Sequence, residues 1–385
     1  MEKQCNAAPT LVGKKERNWG IDLLRIIAMF MVTLLHFSGK GGFIGTPDSG
    51  ISFYVITFFK VICFGAVNIF AMISGFVMYN KKVNYTSLIN LWFQVTFYSV
   101  GLSLVNKFVL GSPYSILGSF TPVLKVKFWY FTAYFFMFFF IPFFNELAEK
   151  LSSKAMRFFL STGFVVLCFG SNFVKYLGHE IFGTVNGYSL LWLSFCYITG
   201  TFIAKDKQFF YRLSNRFYSL VAVVCIVLTY LNNILLFDAV LPINLNAHPA
   251  YFLLIYTSPT VFVSSICMLV VFSQIKISHG TGLIKFFSST SFSVYIIQCH
   301  ELVWNNFVTK LSTYFNAPSQ FEKIFIVLGV SIIFFVLACI LDYLRVLLFK
   351  LIGINNISKF IYKLIAAFVL KIKALTMRIY IAFAQ

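Results

Sequence analysis

Three residues in one apolar run are equipped for chemistry. The run Ile21-Asp22-Leu23-Leu24-Arg25-Ile26-Ile27-Ala28-Met29-Phe30-Met31-Val32-Thr33-Leu34-Leu35-His36-Phe37 holds an acid, a fixed cation and an imidazole among residues suited to hydrocarbon. Ionisable groups inside a membrane span cost about 2.5–3.5 kcal/mol each on insertion scales, so each needs a reason. On a helix turning roughly 100° per residue, Arg25 and His36 point the same way, about 16 Å apart along the axis. Asp22 lies one turn before Arg25, near the same face. The stripe therefore faces a polar cavity in a bundle, not lipid. An imidazole titrates near neutral pH and can act as base, acid or nucleophile. The Arg25 fork of donors suits an anion such as a phosphate. The packing alternative pairs Asp22 with Arg25 near an interface and lets His36 bond a neighbouring helix. That pairing is the simpler reading for Asp22, whereas for His36 the functional reading is preferred.

Such a stripe needs a bundle to hold it, and composition supplies one. Of 385 residues, 59% are apolar and 11% charged, and the mean hydropathy is +0.84. A soluble domain is nearer half apolar and a quarter charged. A water-soluble enzyme, a disordered chain and a nucleic-acid-binding domain are excluded. The net charge of +19 comes from 31 basic residues scattered between apolar blocks. That is no nucleic-acid stripe, and it suits the cytoplasmic ends of membrane helices. The eight cysteines lie far apart, with no CxxC and no metal-type spacing. They read as small buried hydrophobes, and no metal is expected. The run from Ile21 lacks a signal-peptide cleavage site and reads as a first span kept in the mature chain.

About ten stretches approach the 20 apolar residues needed to cross a bilayer. They cover residues 19–38, 53–79, 86–109, 128–145, 156–174, 189–204, 217–237, 250–273, 286–304 and 324–349. The runs lack strict alternation, which argues against a barrel despite 50 Phe. The expected fold is all-α: a polytopic integral membrane bundle of about ten spans over 19–349, after a cytoplasmic tail at 1–18. Basic residues favour an inside N-terminus, with Lys81, Lys82, Lys150, Arg157, Lys205, Lys207 and Arg212 in inner loops. The outer loops hold Lys40, Lys107, Lys125, Lys127, Lys175, Lys310 and Lys323. Both termini are then cytoplasmic. Residues 350–385 alternate apolar and basic residues with no acid, which predicts an amphipathic helix on an anionic inner leaflet. An eleventh span is the rival reading.

Other polar groups have plainer readings. Ser74-Gly75 in the second span suits close helix approach, with a serine nucleophile as the alternative. Lys60 could snorkel. The aromatic stretch Phe128-Trp129-Tyr130-Phe131 fits an interface belt. His300 and Glu301 close the ninth span and either join a polar site or meet water. His179, His248 and His279 fall in loops without a motif partner. Asp342 and Arg345 read as a local i,i+3 pair.

These residues together resemble the membrane-bound acyltransferase family 3, whose members often O-acetylate surface polysaccharides. Residues 21–36 are similar to its first-helix pattern of an acid, an arginine and, ten intervening residues later, a histidine. Residues 69–76 resemble its Phe-then-Ser-Gly-Phe segment, 128–142 its Trp-Phe/Tyr helix ending in proline, and 293–301 its late Val-Tyr-Leu-Ile-His segment. A weaker similarity runs through 187–200. The resemblance implies ten membrane helices, a cytoplasmic acyl-CoA donor (acetyl-CoA first) and an acceptor outside or within the membrane. That acceptor would be a surface polysaccharide or lipid-linked glycan, the enzyme an O-acetyltransferase of the cell membrane. His36 and Arg25 match the family's histidine and arginine. Two positions depart from the pattern. Gln298 stands where the family often has histidine, with His300 two residues on. Adjacent Lys81 and Lys82 stand where many members carry Arg-x-x-Arg, and they read equally as point charges that attract CoA phosphates or as solvated loop charges. A transporter or flippase of a lipid-linked glycan is the competing class, although no inverted repeat is evident.

Overall fold

The computed structural model describes residues 17–47, 50–111, 117–124, 128–177, 179–237, 252–316 and 318–384. Lys125, Lys127, His248 and most of the N-terminal tail lie outside these. Among the described residues every regular element is helical. Helix α1 (Trp19–Gly39) starts at Asn18, whose side chain accepts from the Ile21 amide and donates to the Ser273 carbonyl at 2.8 Å. The cap thus satisfies an orphan amide and pins the start of α1 to a distant helix. Helices α2 (Ile51–Cys63) and α3 (Ala66–Met78) form one apolar run broken at Phe64-Gly65, and α4 is Tyr85–Phe108. Helices α5 (Trp129–Phe138) and α6 (Ile141–Lys150) bend by 59°. Pro142 in the first turn of α6 lacks an amide hydrogen and cannot continue α5.

Helix α7 (Ser153–Gly163) passes through a π-helical stretch, Phe164–Gly170, into α8 (Ser171–Tyr176). Then come α9 (Leu190–Lys205), α10 (Lys207–Phe210), α11 (Asn215–Leu235), α12 (Pro259–Gln274) and α13 (Thr281–Cys299). The chain ends with α14 (Glu301–Asn306), α15 (Gln320–Ile352) and α16 (Ile354–Ala384).

Among the described residues, six helical runs are long and apolar enough to cross a membrane: α1, α2–α3, α4, α7–α8, α11 and α15. The bent α5–α6 pair makes a seventh if it counts as one crossing. Helices α9 and α12 are shorter, and α13, rich in serine and threonine, does not pass that test. Length and hydropathy alone therefore stop short of the expected ten. Two expected stretches also end differently. Residues 252–258 make turns, so α12 begins only at Pro259, and extended backbone at His300 separates α13 from α14.

Helix α1 is central, packing on α2, α3, α12, α13 and α15. Helices α3 and α9 cross through a pair of glycines. A Cβ on Gly75 would overlap the Tyr197 carbonyl oxygen, and one on Gly200 the Met72 carbonyl oxygen. Ser74-Gly75 thus serves close packing, as small residues do between membrane helices. Overpacking costs about 1–3 kcal/mol, and opposed backbone leaves little room to relax. Gly200→Ala is expected to lower the yield of monodisperse protein and its melting temperature, read by size exclusion after heating. Gly101→Ala is the control: its Cβ meets nothing within 4 Å among the described residues. Equal thermal stability of the two variants would refute the crossing.

A second tie is electrostatic. Asp342 is fully buried and accepts from Arg345 Nε at 2.9 Å and Nη2 at 2.8 Å. The local pair is joined by Tyr98 Oη at 3.0 Å and by Ser293 Oγ, linking α15 to α4 and α13. These hydrogen bonds offset the desolvation that a buried ion pair suffers. The seven described cysteines are free, six of them buried. After left-handed Gly353, α16 packs on α4 near its start, where Tyr362 stacks on Tyr85 and Asn90 donates to Asn355. From Ala367 to Arg378 it is exposed.

Candidate active site

The α1 stripe opens onto two cavities. At its Arg25 end lies a cavity of about 590 Å³ lined by Arg17, Asp22, Arg25, Phe76, Lys81 and Lys207. Asp22 is buried and accepts from Arg25 Nη1 at 2.8 Å and from Arg17 Nε. Arg17 also reaches Ser288 Oγ at 3.1 Å and lies over the Trp19 ring. The Lys207 ammonium sits 5.4 Å from the Phe76 ring centre. Among the described lining residues, four cations face one carboxylate. That excess of fixed positive charge suits a polyanion.

At the His36 end lies a cavity of about 660 Å³, whose lining includes His36, Lys40, Lys60, Trp129, Tyr188 and Tyr256. A narrow passage of about 30 Å³ adjoins it, lined by His36, Met29, Val32, Phe70, Tyr130 and Tyr295 among others. Met29 and Val32 fall between Arg25 and His36 on α1. On the α2–α3 run, Phe70 falls between Phe64 of the larger cavity and Phe76 of the cationic one. The passage therefore occupies the stretch between the two cavities. His36 stands where the passage meets the larger cavity.

The groups at this junction are held from outside it. The His36 ring packs edge-on against Trp304, centroids 5.1 Å apart, and its Nδ1 is buried with no hydrogen-bond partner among the described residues. The Tyr130 hydroxyl is likewise buried and unpartnered among them, while its backbone amide donates to Tyr295 Oη at 3.2 Å. Buried Asn68 donates to the Tyr256 carbonyl and accepts from Trp192 Nε1, both at 2.8 Å. Gly187 has φ 97°, and a Cβ there would overlap Tyr256 Cβ. The glycine lets Tyr188 approach Tyr256 to 5.0 Å, with Trp129 4.6 Å from Tyr188.

The residues singled out in the sequence divide accordingly. Asp22, Arg25 and Lys81 share the cationic cavity; His36 and Trp129 share the other cavity and the passage. Lys82 is exposed and outside the cationic lining. Ser74 Oγ donates to the Phe70 carbonyl of its own helix at 3.0 Å. His300 is buried and caps α14: its Nδ1 accepts from the Leu302 amide, and Nε2 faces Ser103 Oγ at 3.2 Å and the Ser99 carbonyl at 3.3 Å. His300, Glu301 and Gln298 line neither cavity. Sequence reasoning did not single out Arg17, Lys207, Tyr130, Tyr295 or Tyr256 as site residues. An arginine just before the first span carried a weak signal for Arg17. Nothing in the sequence joins Lys207 to Arg25, since a chain reversal brings them together.

The fold is that of a multi-pass membrane protein, with several apolar helices packed around a polar-striped first one. A family model described as an acyltransferase domain, Acyl_transf_3, matches residues 18–362, nearly the whole chain. The protein belongs to acyltransferase family 3 and is an acyltransferase. No curated protein and no solved structure matches it.

Proposed function

We propose that this protein is an integral membrane O-acyltransferase that moves an acyl group, acetyl first, from cytoplasmic acyl-CoA to a hydroxyl of an exported or surface polysaccharide. The observation that carries this is His36 at the junction of passage and cavity, on the same α1 face as the cationic cavity at Arg25. In this reading the chain crosses the plasma membrane ten times, α5–α6 being one crossing and α9, α12 and α13 three more. Both termini are cytoplasmic, so Arg25 lies on the donor side and His36 on the acceptor side. The basic tail helix α16 rests on the inner leaflet.

The residues then divide the work. Arg17, Arg25, Lys81 and Lys207 hold the phosphates of CoA, Arg25 through its planar fork and the lysines as point charges. Asp22 fixes the two arginines. The apolar passage admits a narrow acyl thioester arm and excludes water. His36 takes the proton from the attacking sugar hydroxyl as general base and returns it to the departing thiolate. Among the described residues no carboxylate bonds its ring, which packs on Trp304. The Tyr130 hydroxyl is the buried donor available to the oxyanion that develops on the thioester carbonyl. No metal is needed.

The test is mass spectrometry of surface glycans from a deletion strain, with and without the wild-type chain. An ester-linked acyl mass that returns with the gene is the expected result, and the mass names the acyl group. Unchanged acylation with reduced glycan export would replace this reading with a flippase.

A further inference from the structure

A further cavity, of about 510 Å³, lies away from the α1 stripe, where α4, α15 and α16 meet. Asn90 and Gln94 of α4, Arg345, Phe349 and Lys350 of α15 and Asn355 of α16 line it. Residues 90 and 94 share one face of α4, as 345 and 349 do on α15. The helices fix its depth. Helix α15 has 33 residues and is roughly 50 Å long, whereas the hydrocarbon core is about 30 Å thick. Its first residue, Gln320, accepts from the Ile51 amide at the His36 end of the bundle. Its last turns, which hold Arg345 and Lys350, therefore stand at headgroup level on the Arg25 side. Helix α4 starts on that side too, a few residues after Lys81 of the Arg25 cavity.

The lining suits a phosphodiester. Arg345 pairs with Asp342 through Nε and Nη2, which leaves the rest of its donor set for a second anion. The Phe349 ring centre lies 4.8 Å from the guanidinium carbon. Asp342 is outside the lining, and no carboxylate lines the cavity among the described residues. Lys350 adds an exposed ammonium. Asn90 donates to Asn355 Oδ1 at 3.2 Å, while its own Oδ1 is buried with no hydrogen-bond partner among the described residues. That orphan acceptor calls for a donor, which the oxygens of an anion do not supply. Leu347 and Leu351, beside this face of α15, are exposed and favour an apolar cover. An occupant that carries a negative charge, a hydroxyl and hydrocarbon chains meets all three demands.

We propose that this cavity is a site for one anionic phospholipid whose headgroup bears a free hydroxyl. Its phosphate lies against Arg345 and Lys350, its hydroxyl donates to Asn90 Oδ1, and its chains cover Leu347 and Leu351. The lipid then fastens the start of α16 to α4 and α15. It is a bound partner, distinct from the diffuse attraction of the lysines farther along the tail.

The test uses full-length protein, delipidated in neutral detergent and titrated with single lipids. Native mass spectrometry counts the bound copies. Neither acyl donor nor acceptor is present, so the outcome is separate from that of acyl transfer. Three lipids with the same chains are compared: phosphatidylglycerol, phosphatidylmethanol (the same charge without the hydroxyl) and zwitterionic phosphatidylcholine. The first copy is expected to bind tightest for phosphatidylglycerol and weakest for phosphatidylcholine, with about tenfold between them. Any other order overturns the proposal. Glycerol 3-phosphate, which has charge and hydroxyls but no chains, should not displace phosphatidylglycerol at equal concentration. If it does, the site takes a soluble phosphate and the lipid proposal falls. Lys350→Gln should weaken the first copy of phosphatidylglycerol by about fivefold, and Lys350→Arg should keep it. Lys371→Gln, on the exposed part of α16, should leave the first copy unchanged. Equal losses in Lys350→Gln and Lys371→Gln would mean diffuse attraction in place of a pocket, and would overturn the proposal.

Discussion

His36→Ala is expected to lower acyl transfer by about 10²- to 10⁴-fold, the usual contribution of a positioned general base. The variant should still insert. His36 is half-buried beside a cavity, and its Nδ1 makes no hydrogen bond to any described residue, so its removal breaks no polar network there. What is lost is the imidazole at the junction of passage and cavity. Because the space left behind opens onto the cavity of about 660 Å³, added imidazole can diffuse into it. Partial rescue by imidazole, rising with pH as the free base accumulates, would distinguish a lost base from a damaged fold. His36→Gln keeps the bulk and loses the titration, so it should be nearly as inactive. Wild-type acylation in either variant, at matched membrane levels, would remove His36 from the mechanism.

Arg25→Gln should act on donor binding instead. Hydrogen bonds to charged groups contribute about 1.5–3 kcal/mol, which corresponds to roughly a 10- to 100-fold higher KM for acetyl-CoA. The turnover number should change much less, since Arg25 is about 16 Å along the helix from His36. Asp22 keeps Arg17 as a partner, so the buried carboxylate is not stranded. Arg25→Lys should fall between the two, retaining charge but losing the bidentate fork. Acetyl-pantetheine, which carries no phosphate, gives the decisive comparison. Wild type and Arg25→Gln should use it equally. A deficit that persists with acetyl-pantetheine would mean that Arg25 serves the chemistry or the fold, not the phosphates. A drop in turnover at unchanged KM would say the same.

The two variants probe opposite ends of one helix, and Arg25 with His36 is the part of the site most legible in the sequence. Their separation of eleven residues is close to three turns, so they share a face on any α-helix. The i,i+3 pairs Asp22–Arg25 and Asp342–Arg345 follow from the same local geometry and are present. Ser74-Gly75 was legible as a packing device because a small residue permits only so many things inside a membrane. The helical class followed from long apolar runs without strict alternation, since hydrocarbon leaves a spanning chain only the helix or the closed barrel.

Only the tertiary structure could decide the rest, because contacts between distant segments depend on crossing angles and breaks that no local periodicity records. Packing of α2 and α5 against the bundle places Trp129, Tyr130 and Lys60 along the cavities. The turn after α9 brings Lys207 to Arg25. Local sequence left His300 open between a polar site and water. Packing made it a buried cap for α14, held by Ser99 and Ser103 of α4. Tyr98 and Ser293 complete Asp342 from helices far away in sequence. The sequence by itself determined which helices carry charge and on which face. The tertiary structure decided which charges meet, because packing sets the partners of a side chain and helical register sets only its direction.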